Sequence, residues 1–190
     1  MKRRHYLGAT TTAMLGGLAG CMGDPEYTIT SVSSVDTAGP LTFDVEIADS
    51  AITVDSPGSL DVRLRNDGET AVEIRNTGVW PFGILALIPP DENGMRTLLL
   101  TDQYAETDHV EVTANSTGTD NTRLVRSLAA GESVTERYRI HGKRLRGNAT
   151  YSLGDYFEDV LISYRTGDSG TWSELHPEVS VTIAERSLLP

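Results

Sequence analysis

Cysteine and lysine are nearly missing from this chain. Cys21 is the single cysteine among 190 residues, which excludes an intrachain disulfide and a cysteine-based metal cluster. A packed hydrophobic core must therefore stabilise the protein. Lysine occurs only at Lys2 and Lys143, and the densest group of cations beyond the N-terminus is the short run 143–146. Nucleic-acid binding requires clustered cations, so no nucleic-acid partner is expected.

Long apolar runs are missing near the N-terminus as well. Residues 8–20 form an apolar stretch of about 13 residues that contains several Gly and Thr, whereas a bilayer span needs roughly 20 apolar residues. The basic residues 2–4 precede this stretch, and Ala19 and Gly20 end it. A charged head, a short apolar region and small residues before a cleavage point are typical of an export signal. We therefore predict a signal peptide over residues 1–20, cleaved after Gly20.

Two short motifs in this segment resemble known export motifs. Residues 18–21, Leu-Ala-Gly-Cys, resemble the lipobox of prokaryotic lipoproteins, which implies that Cys21 carries a lipid and becomes the mature N-terminus. Residues 3–7, Arg-Arg-His-Tyr-Leu, resemble a twin-arginine signal, which implies export of the folded protein. The alternative is that Arg3 and Arg4 belong to the basic head of an ordinary secretory signal. The resemblance implies a lipid-anchored, extracellular location on the outer face of the cytoplasmic membrane.

The excess of acidic over cationic residues distinguishes this chain from an average secreted domain. Cleavage after Gly20 would leave 13 cationic and 27 acidic residues, a net charge of −14. An acidic, lysine-poor surface resembles that of haloarchaeal proteins, whose carboxylates keep them soluble in concentrated salt. Together with the export and lipid motifs, this composition resembles a haloarchaeal surface lipoprotein. An acidic secreted domain from a mesophile is the alternative.

Apolar and polar residues alternate with period two along most of the chain, which is the pattern of half-buried β-strands. We predict an all-β, antiparallel sandwich of eight or nine strands over residues 35–190. Residues 21–34 are interpreted as the lipidated N-terminus and a tether that enters a first strand near 27–35. The clearest hairpin is predicted around the turn at 66–69. The side chains expected to face one core on both sides of that turn are Leu60, Val62, Leu64, Val72 and Ile74.

Two further segments refine this strand prediction. Residues 84–88 form a short, continuous apolar run, which is typical of a central strand buried on both faces. Residues 41–47 alternate strictly, so their four apolar side chains are expected to share one buried face. Those side chains are Leu41, Phe43, Val45 and Ile47.

Two blocks of this region carry a family resemblance. Residues 60–68, with the pattern Leu-x-Val-x-Leu-x-Asn-x-Gly, resemble the strand–turn–strand signature of immunoglobulin-like domains on prokaryotic surface proteins. Residues 128–134 are similar to the Leu-x-Pro-Gly-Glu-Ser turn of those domains, with Ala130 in the place of Pro. The same two blocks resemble the bacterial intracellular proteinase-inhibitor-like sandwich. The resemblance implies an immunoglobulin-like sandwich and no particular activity.

Candidate catalytic and zinc-binding residues are sparse. His109, His141 and His176 are far apart and lack the spacing of zinc ligands. Residues 167–170, Gly-Asp-Ser-Gly, match the surroundings of the nucleophile in chymotrypsin-like proteases, but no histidine lies in that family's context. Gly-Asp-Ser-Gly also favours a hairpin turn, which is our interpretation. We predict no catalytic residue, no metal site and no cofactor.

Two carboxylate groups are the best candidates for Ca²⁺, which prefers six to eight oxygen ligands. One is the run 91–94, Asp-Glu-Asn-Gly, and the other combines Asp155 with Glu158 and Asp159. Neither has the alternating pattern of an EF-hand loop. The high acidity of the chain favours the alternative that both are solvated acidic surface.

Aromatic residues and sequons give the remaining candidate sites. Trp80, Phe82 and Trp172 lie beside turn residues and form a candidate partner patch, with the alternative that Trp80 and Phe82 close one end of the sandwich. Asn115 and Asn148 each begin an Asn-x-Thr sequon and are candidate glycosylation sites.

Three functions remain open at this point. The leading hypothesis is a non-enzymatic, lipid-anchored module that binds a protein or envelope partner. The second is a hydrolase or metal-dependent enzyme with a site assembled from loops, which three titratable side chains meeting in a concave pocket would favour. The third is a proteinase-inhibitor-like domain, which requires a rigid protruding loop, for example around Trp80.

Overall fold

The structure, a computed structural model, describes residues 25–35, 39–91, 94–113, 116–145, 147–167 and 170–186. These residues form fifteen β-strands and two short 3-10 turns, at Asp102–Ala105 and Gly142–Arg144, and no α-helix. None of the described segments provides a helix that could cross a membrane. The all-β prediction is confirmed.

The strands are numbered in chain order. They are β1 (Tyr27–Ser34), β2 (Leu41–Asp49), β3 (Ala51–Ile52), β4 (Gly58–Asn66), β5 (Val72–Thr77), β6 (Leu85–Ile88), β7 (Thr97–Leu98), β8 (Val110–Val112), β9 (Thr117–Thr119), β10 (Arg123–Leu128), β11 (Ser133–Ile140), β12 (Ala149–Asp155), β13 (Ile162–Thr166), β14 (Ser173–Leu175) and β15 (Val179–Glu185). Nine of the strands in the described ranges have five residues or more, and the other six have two to four. The predicted number of eight or nine strands is too low, although the predicted buried strand at 84–88 is present as β6.

All strand pairs are antiparallel. A six-stranded sheet has the order β3-β1-β15-β12-β6-β7, and a three-stranded sheet has the order β11-β4-β2. The two sheets meet where Leu100, just beyond β7, exchanges main-chain hydrogen bonds with Arg139 of β11. A four-stranded sheet with the order β10-β5-β13-β14 forms the other layer, and β8 and β9 make a small separate hairpin. This layered, antiparallel arrangement is the predicted sandwich.

One continuous core joins the layers. The buried side chains of β1, β4, β5, β6 and β15 belong to a single hydrophobic cluster. The five side chains predicted to face it around the 66–69 turn are all fully buried. Residues of opposite parity face outwards: Arg63 is exposed, and Asp61 is half-buried and forms a bidentate pair with Arg137 at 2.7 Å. The predicted face of β4 and β5 is confirmed.

The predicted hairpin between β4 and β5 is wrong. β4 pairs with β2 and β11, whereas β5 pairs with β10 and β13 in the other sheet. The connection at residues 67–71 crosses from one layer to the other. Both strands carry one apolar face, and this crossing lets the two faces pack against each other across the core instead of side by side in one sheet.

Two boundaries also change. β1 pairs with β15 along Tyr27–Ser34, and Tyr27 and Ile29 are buried, so the first strand predicted near 27–35 belongs to the sandwich, which begins before residue 35. In β2 the alternation of buried and exposed side chains does not continue to the end of the strand, since Val45 is half-buried and Ile47 is 37% exposed. The outer half of β2 therefore extends beyond the layer that covers its first half.

Candidate functional site

Several predicted site residues lie outside the described residues. They are Arg3, Arg4, Gly20 and Cys21 of the export and lipid motifs, the sequon residue Asn115, and Asp168 and Ser169 of the 167–170 turn. The strands that flank this turn, β13 and β14, pair with each other, as expected for a hairpin. The second sequon residue, Asn148, is exposed just before β12, and its carboxamide oxygen accepts a hydrogen bond from the amide of Glu185.

The candidate aromatic patch is corrected by the structure. Phe82 is fully buried and packs edge-on between Phe43 and Tyr138, with ring centroids 5.9 Å and 6.3 Å away. It is therefore part of the core and is not available to a partner. The apolar ring turns inwards because the loop at 79–83 folds over the open end of the core, as the alternative interpretation expected for this residue.

The two tryptophans lie in different surroundings and do not form one patch with Phe82. The half-buried Trp80 lies beside Arg126 of β10, with the guanidinium carbon 5.7 Å from the ring centroid. The half-buried Trp172 contacts the guanidinium groups of Arg75 and Arg165, at 4.2 Å and 4.8 Å. Arg165 also forms an ion pair with Glu73. Trp172 thus fixes two arginines on the outer face of the four-stranded sheet.

Beside this stack, a cleft of about 240 Å³ lies between the outer face of the β5–β10–β13 strands and the loop after β12. Arg75 and Arg123 are its cationic residues, and Asp155, Glu158 and Glu174 are its acidic ones. Asn76, Thr77 and Ser163 add neutral polar groups, and Val160 and Leu161 add apolar surface. The cleft is thus small, predominantly polar and lined by charges of both signs.

Strand register explains why Arg75 and Arg123 share this face. Arg75 lies opposite Val125 of β10, and Arg123 lies opposite Thr77 of β5. Directly opposite residues of an antiparallel pair project to the same face, so the two arginines are diagonal neighbours, roughly 7–8 Å apart. On the other side of β5, Arg75 lies opposite Ser163 of β13. Both guanidinium groups can therefore reach one ligand.

Asp155 positions the loop that closes the cleft. Its Oδ2 accepts a hydrogen bond from the amide of Ile84 at 3.1 Å, and its Oδ1 accepts from the amides of Phe157 and Glu158, each at 2.8 Å. Gly83 has a φ of +69°, and a Cβ on it would lie 2.8 Å from Oδ2, so only glycine fits there. Burial raises the pKa of Asp155, while these three amides oppose that rise.

This geometry argues against the second calcium candidate. Both carboxylate oxygens of Asp155 are occupied by main-chain N–H groups, and Asp159 is 99% exposed beside Arg96. Arg96 also donates to the carbonyls of Asp155 and Tyr156, at 2.8 Å and 3.1 Å. The loop is therefore held by an arginine and by amides. Among the residues that the structure describes, no group of three or more potential metal ligands converges.

The histidines are separated by the fold as they are in the sequence. His109 lies 2.9 Å from Asp120 within the β8–β9 hairpin, and His176 lies 3.2 Å from Glu174 after β14. His141 follows β11, and partial burial lowers its pKa. Each histidine thus has its own local role, and none lines the cleft.

One buried polar atom at the cleft has no partner within the described part of the chain. The side-chain amide of Asn76 donates to the carbonyl of Val79, but its Oδ1 is buried and accepts no hydrogen bond. Asn76 is only 8% exposed. A buried carbonyl oxygen without a donor is costly, and because Asn76 alternates with Arg75 and Thr77 along β5, this atom lies on the core-facing side of the strand.

Comparison with known proteins identifies the family of this chain. The family model described as "Domain of unknown function (DUF8130)" matches residues 1–190. The chain belongs to this family. A search of curated proteins gives no match. Membership of DUF8130 covers the whole chain and assigns no activity, so the function must be argued from the cleft.

Sequence reasoning did not single out Arg75, Asn76 and Arg123. In the sequence, Arg75 and Arg123 occupy polar positions of alternating strands, where arginine is ordinary. Their only distinguishing signal is the scarcity of cations in this acidic chain. Asp155 and Glu158 were singled out only as possible calcium ligands.

Proposed function

We propose that this protein is a lipid-anchored, non-catalytic binding module on the outer face of the cytoplasmic membrane. Its binding site is the cleft beside Arg75 and Arg123 on the four-stranded sheet. The anchor and the export route are supported by the lipobox-like residues 18–21 and the paired Arg3 and Arg4. We include in this proposal a haloarchaeal origin, which is supported by the acidic, lysine-poor composition.

The observation that carries the binding site is the distribution of unpaired arginines. Of the eleven arginines in the described ranges, seven form ion pairs with carboxylates. The other four are Arg75, Arg123, Arg126 and Arg144. Three of these four lie on the adjacent strands β5 and β10. In a chain with 27 acidic residues, guanidinium groups left without carboxylates on one sheet favour a ligand that supplies the missing partner.

The lipid anchor is tested by fractionation. Cys21→Ser should move the protein from the membrane to the soluble fraction, since stable retention needs hydrophobic chains on that residue. A Cys21→Ser protein that stays in the membrane with its signal uncleaved would overturn the anchor.

The binding site is tested by photocrosslinking in intact cells. Val125 is 45% exposed and lies opposite Arg75, so a photoreactive amino acid at this position is next to the cleft. Val54 is 56% exposed in the loop after β3 and serves as the matched control position. Intact-mass analysis should show a discrete adduct at position 125, of any size, that is missing at position 54.

The same adduct should disappear when Arg75→Gln and Arg123→Gln are combined. It should persist with Arg63→Gln, which removes an exposed arginine paired with Asp44 on another sheet. Equal adducts at both photoreactive positions, or an adduct insensitive to the double variant, would overturn the site.

An enzyme is the second candidate function, because the cleft gathers Asp155, Glu158 and Glu174 in one concave site. The raised pKa of Asp155 is a property of general acids. Against this, all the hydrogen bonds of its carboxylate go to main-chain amides. Turnover of chromogenic ester or glycoside substrates that Asp155→Asn abolishes, in a folded variant, would favour the enzyme over the binding module.

A further inference from the structure

The charges of the cleft specify the chemistry of its ligand. We propose that the cleft binds a small zwitterion with one carboxylate and one ammonium group, of the α-amino-acid class. The inference rests on the proposed function, since it names the ligand class of the same cleft. A volume of about 240 Å³ suits a small molecule and leaves no room for a folded partner.

The two arginines of the cleft fit the carboxylate. Arg75 and Arg123 are diagonal neighbours on β5 and β10, and no described carboxylate forms an ion pair with either. Arg75 is held in place by the Trp172 ring, 4.2 Å from its guanidinium carbon. Planar guanidinium groups bind carboxylates through parallel, bidentate hydrogen bonds. Two such groups on one face define where a ligand carboxylate lies.

The carboxylates of the cleft fit the ammonium group. Glu158 Oε1 accepts a hydrogen bond from the Thr77 hydroxyl at 2.8 Å, which fixes this carboxylate beside the end of β5. Glu174 lies opposite Ser163 on the next strand pair. An ammonium group has three donors and no acceptor, so the carboxylates of Glu158 and Glu174 suit it.

The mixed charges of the cleft favour a zwitterion over simpler ligands. Glu158 accepts from Thr77 and Glu174 lies 3.2 Å from His176, and both carboxylates share the cleft with the two arginines. A lone anion therefore meets like charge from the glutamates, a lone cation meets it from the arginines, and a zwitterion compensates both signs. Asp155 does not enter this balance, because its oxygens are bound to the amides of residues 84, 157 and 158.

In the test, small-molecule probes are titrated into the full chain carrying Cys21→Ser. Binding is monitored by the NMR chemical shifts of the backbone amides. The probes are glycine, L-alanine, L-serine and L-glutamate, together with acetate and methylammonium, which are the two halves of glycine. At least one amino acid should give saturable shifts centred on the amides of residues 76, 77, 123 and 163. Acetate and methylammonium should each bind at least about tenfold more weakly.

Variants test the arginines and the glutamates separately. Arg123→Gln and Glu158→Gln should each weaken the amino acid at least about tenfold. Arg137→Gln is the matched control, since Arg137 pairs with Asp61 on a different sheet, and it should leave the affinity unchanged. Acetate or methylammonium binding as tightly as the amino acid would overturn the zwitterion, as would shifts away from the cleft or no shift with any probe.

The outcomes distinguish this inference from the proposed function. A specific macromolecular adduct at position 125, without any amino-acid shift, would retain the binding module and reject the zwitterion. The absence of both the adduct and the shifts would reject both. Amino-acid shifts with no crosslinked macromolecule would support both, because a small ligand is then the occupant.

Discussion

The main-chain groups of Asn66 and Glu132 join two distant turns. The amide of Asn66 donates to the carbonyl of Glu132 at 2.9 Å, and the amide of Gly131 donates back to the carbonyl of Asn66 at 2.8 Å. The Asn66 side chain is fully buried, and its Nδ2 donates to the carbonyls of Leu128, at 3.0 Å, and of Ala129, at 3.1 Å. One asparagine thus fixes the crossing from β4 to β5 against the turn from β10 to β11.

This relationship predicts that Asn66→Asp is strongly destabilising. A carboxylate lacks the donors that satisfy three carbonyls, those of Thr70, Leu128 and Ala129, and it adds a buried charge. We expect a loss of about 3 kcal/mol or more in the free energy of unfolding, measured by denaturant titration. Asn121→Asp, at an exposed residue, is the matched control and should change stability by less than about 0.5 kcal/mol. Equal effects at both positions would contradict the role of Asn66.

The shared core face of β4 and β5 gives a second prediction. Leu64 is fully buried, so Leu64→Ala should cost about 2–5 kcal/mol by chemical denaturation. Arg63→Ala, at the next residue, removes an exposed ion pair with Asp44 and should cost less than about 1 kcal/mol. Comparable losses at the two positions would contradict the register of β4.

The alternation of apolar and polar residues predicts which side of a strand is buried, but it does not predict which strands pair with it. The faces of Leu64 and Val72 were therefore predictable, whereas the assignment of their strands to different sheets was not. Both a hairpin and a crossing bury the same side chains. The hydrogen bonds of Asn66 fix the crossing, and one of them goes to Leu128, which lies 62 residues away in the chain.

Local composition likewise predicts a turn at 80–83 but not the direction of its rings. Pro81 and Gly83 indicate an irregular loop, while the burial of Phe82 depends on Phe43 and Tyr138 from two other strands. The cleft is even less visible in the sequence, since it combines residues of β5, β10, β13 and the loop after β12. Arg75 and Arg123 become distinctive only once the ion pairs of the other arginines are known.

The pKa values of two aspartates should be shifted in opposite directions. The hydrogen bond from His109 lowers the pKa of Asp120 to about 2, from an ordinary value of 3.8. Burial raises the pKa of Asp155 above 3.8. A carboxyl-carbon NMR titration should therefore show Asp120 ionising well before Asp155 as the pH rises. In His109→Gln, the pKa of Asp120 should return towards 3.8, and that of Asp155 should not move.

These shifts also fix the sign of two contributions to stability. The lowered pKa of Asp120 stabilises the fold above about pH 4, and this contribution is lost as the pH falls towards 2. The raised pKa of Asp155 acts in the opposite sense, because its favourable contribution is present below its unfolded pKa and is lost as the pH rises through the folded one. An unshifted Asp155, titrating near 3.8, would contradict its buried position.

Salt should stabilise the domain if its acidic surface is a halophilic adaptation. The chain beyond residue 20 has a net charge of −14, and this self-repulsion opposes the compact state. The screening length falls from about 10 Å at 0.1 M to about 3 Å at 1 M salt, which removes most of the repulsion. The melting temperature of the Cys21→Ser protein should therefore rise steeply between about 0.1 M and molar KCl.

A control separates charge screening from the salting-out of apolar surface. Lowering the pH towards the sequence pI of about 4.7 at low salt reduces the net charge without adding ions, so it should also raise the melting temperature if repulsion is the cause. This pH lies above the range in which the Asp120 contribution is lost, but the contribution of Asp155 grows as the pH falls, so the pH control is repeated in Asp155→Asn. A melting temperature that is flat or falls with KCl would contradict the halophilic reading. The anchor at Cys21 and the cleft at Arg75 and Arg123 would be unaffected by that result, because neither depends on the bulk charge.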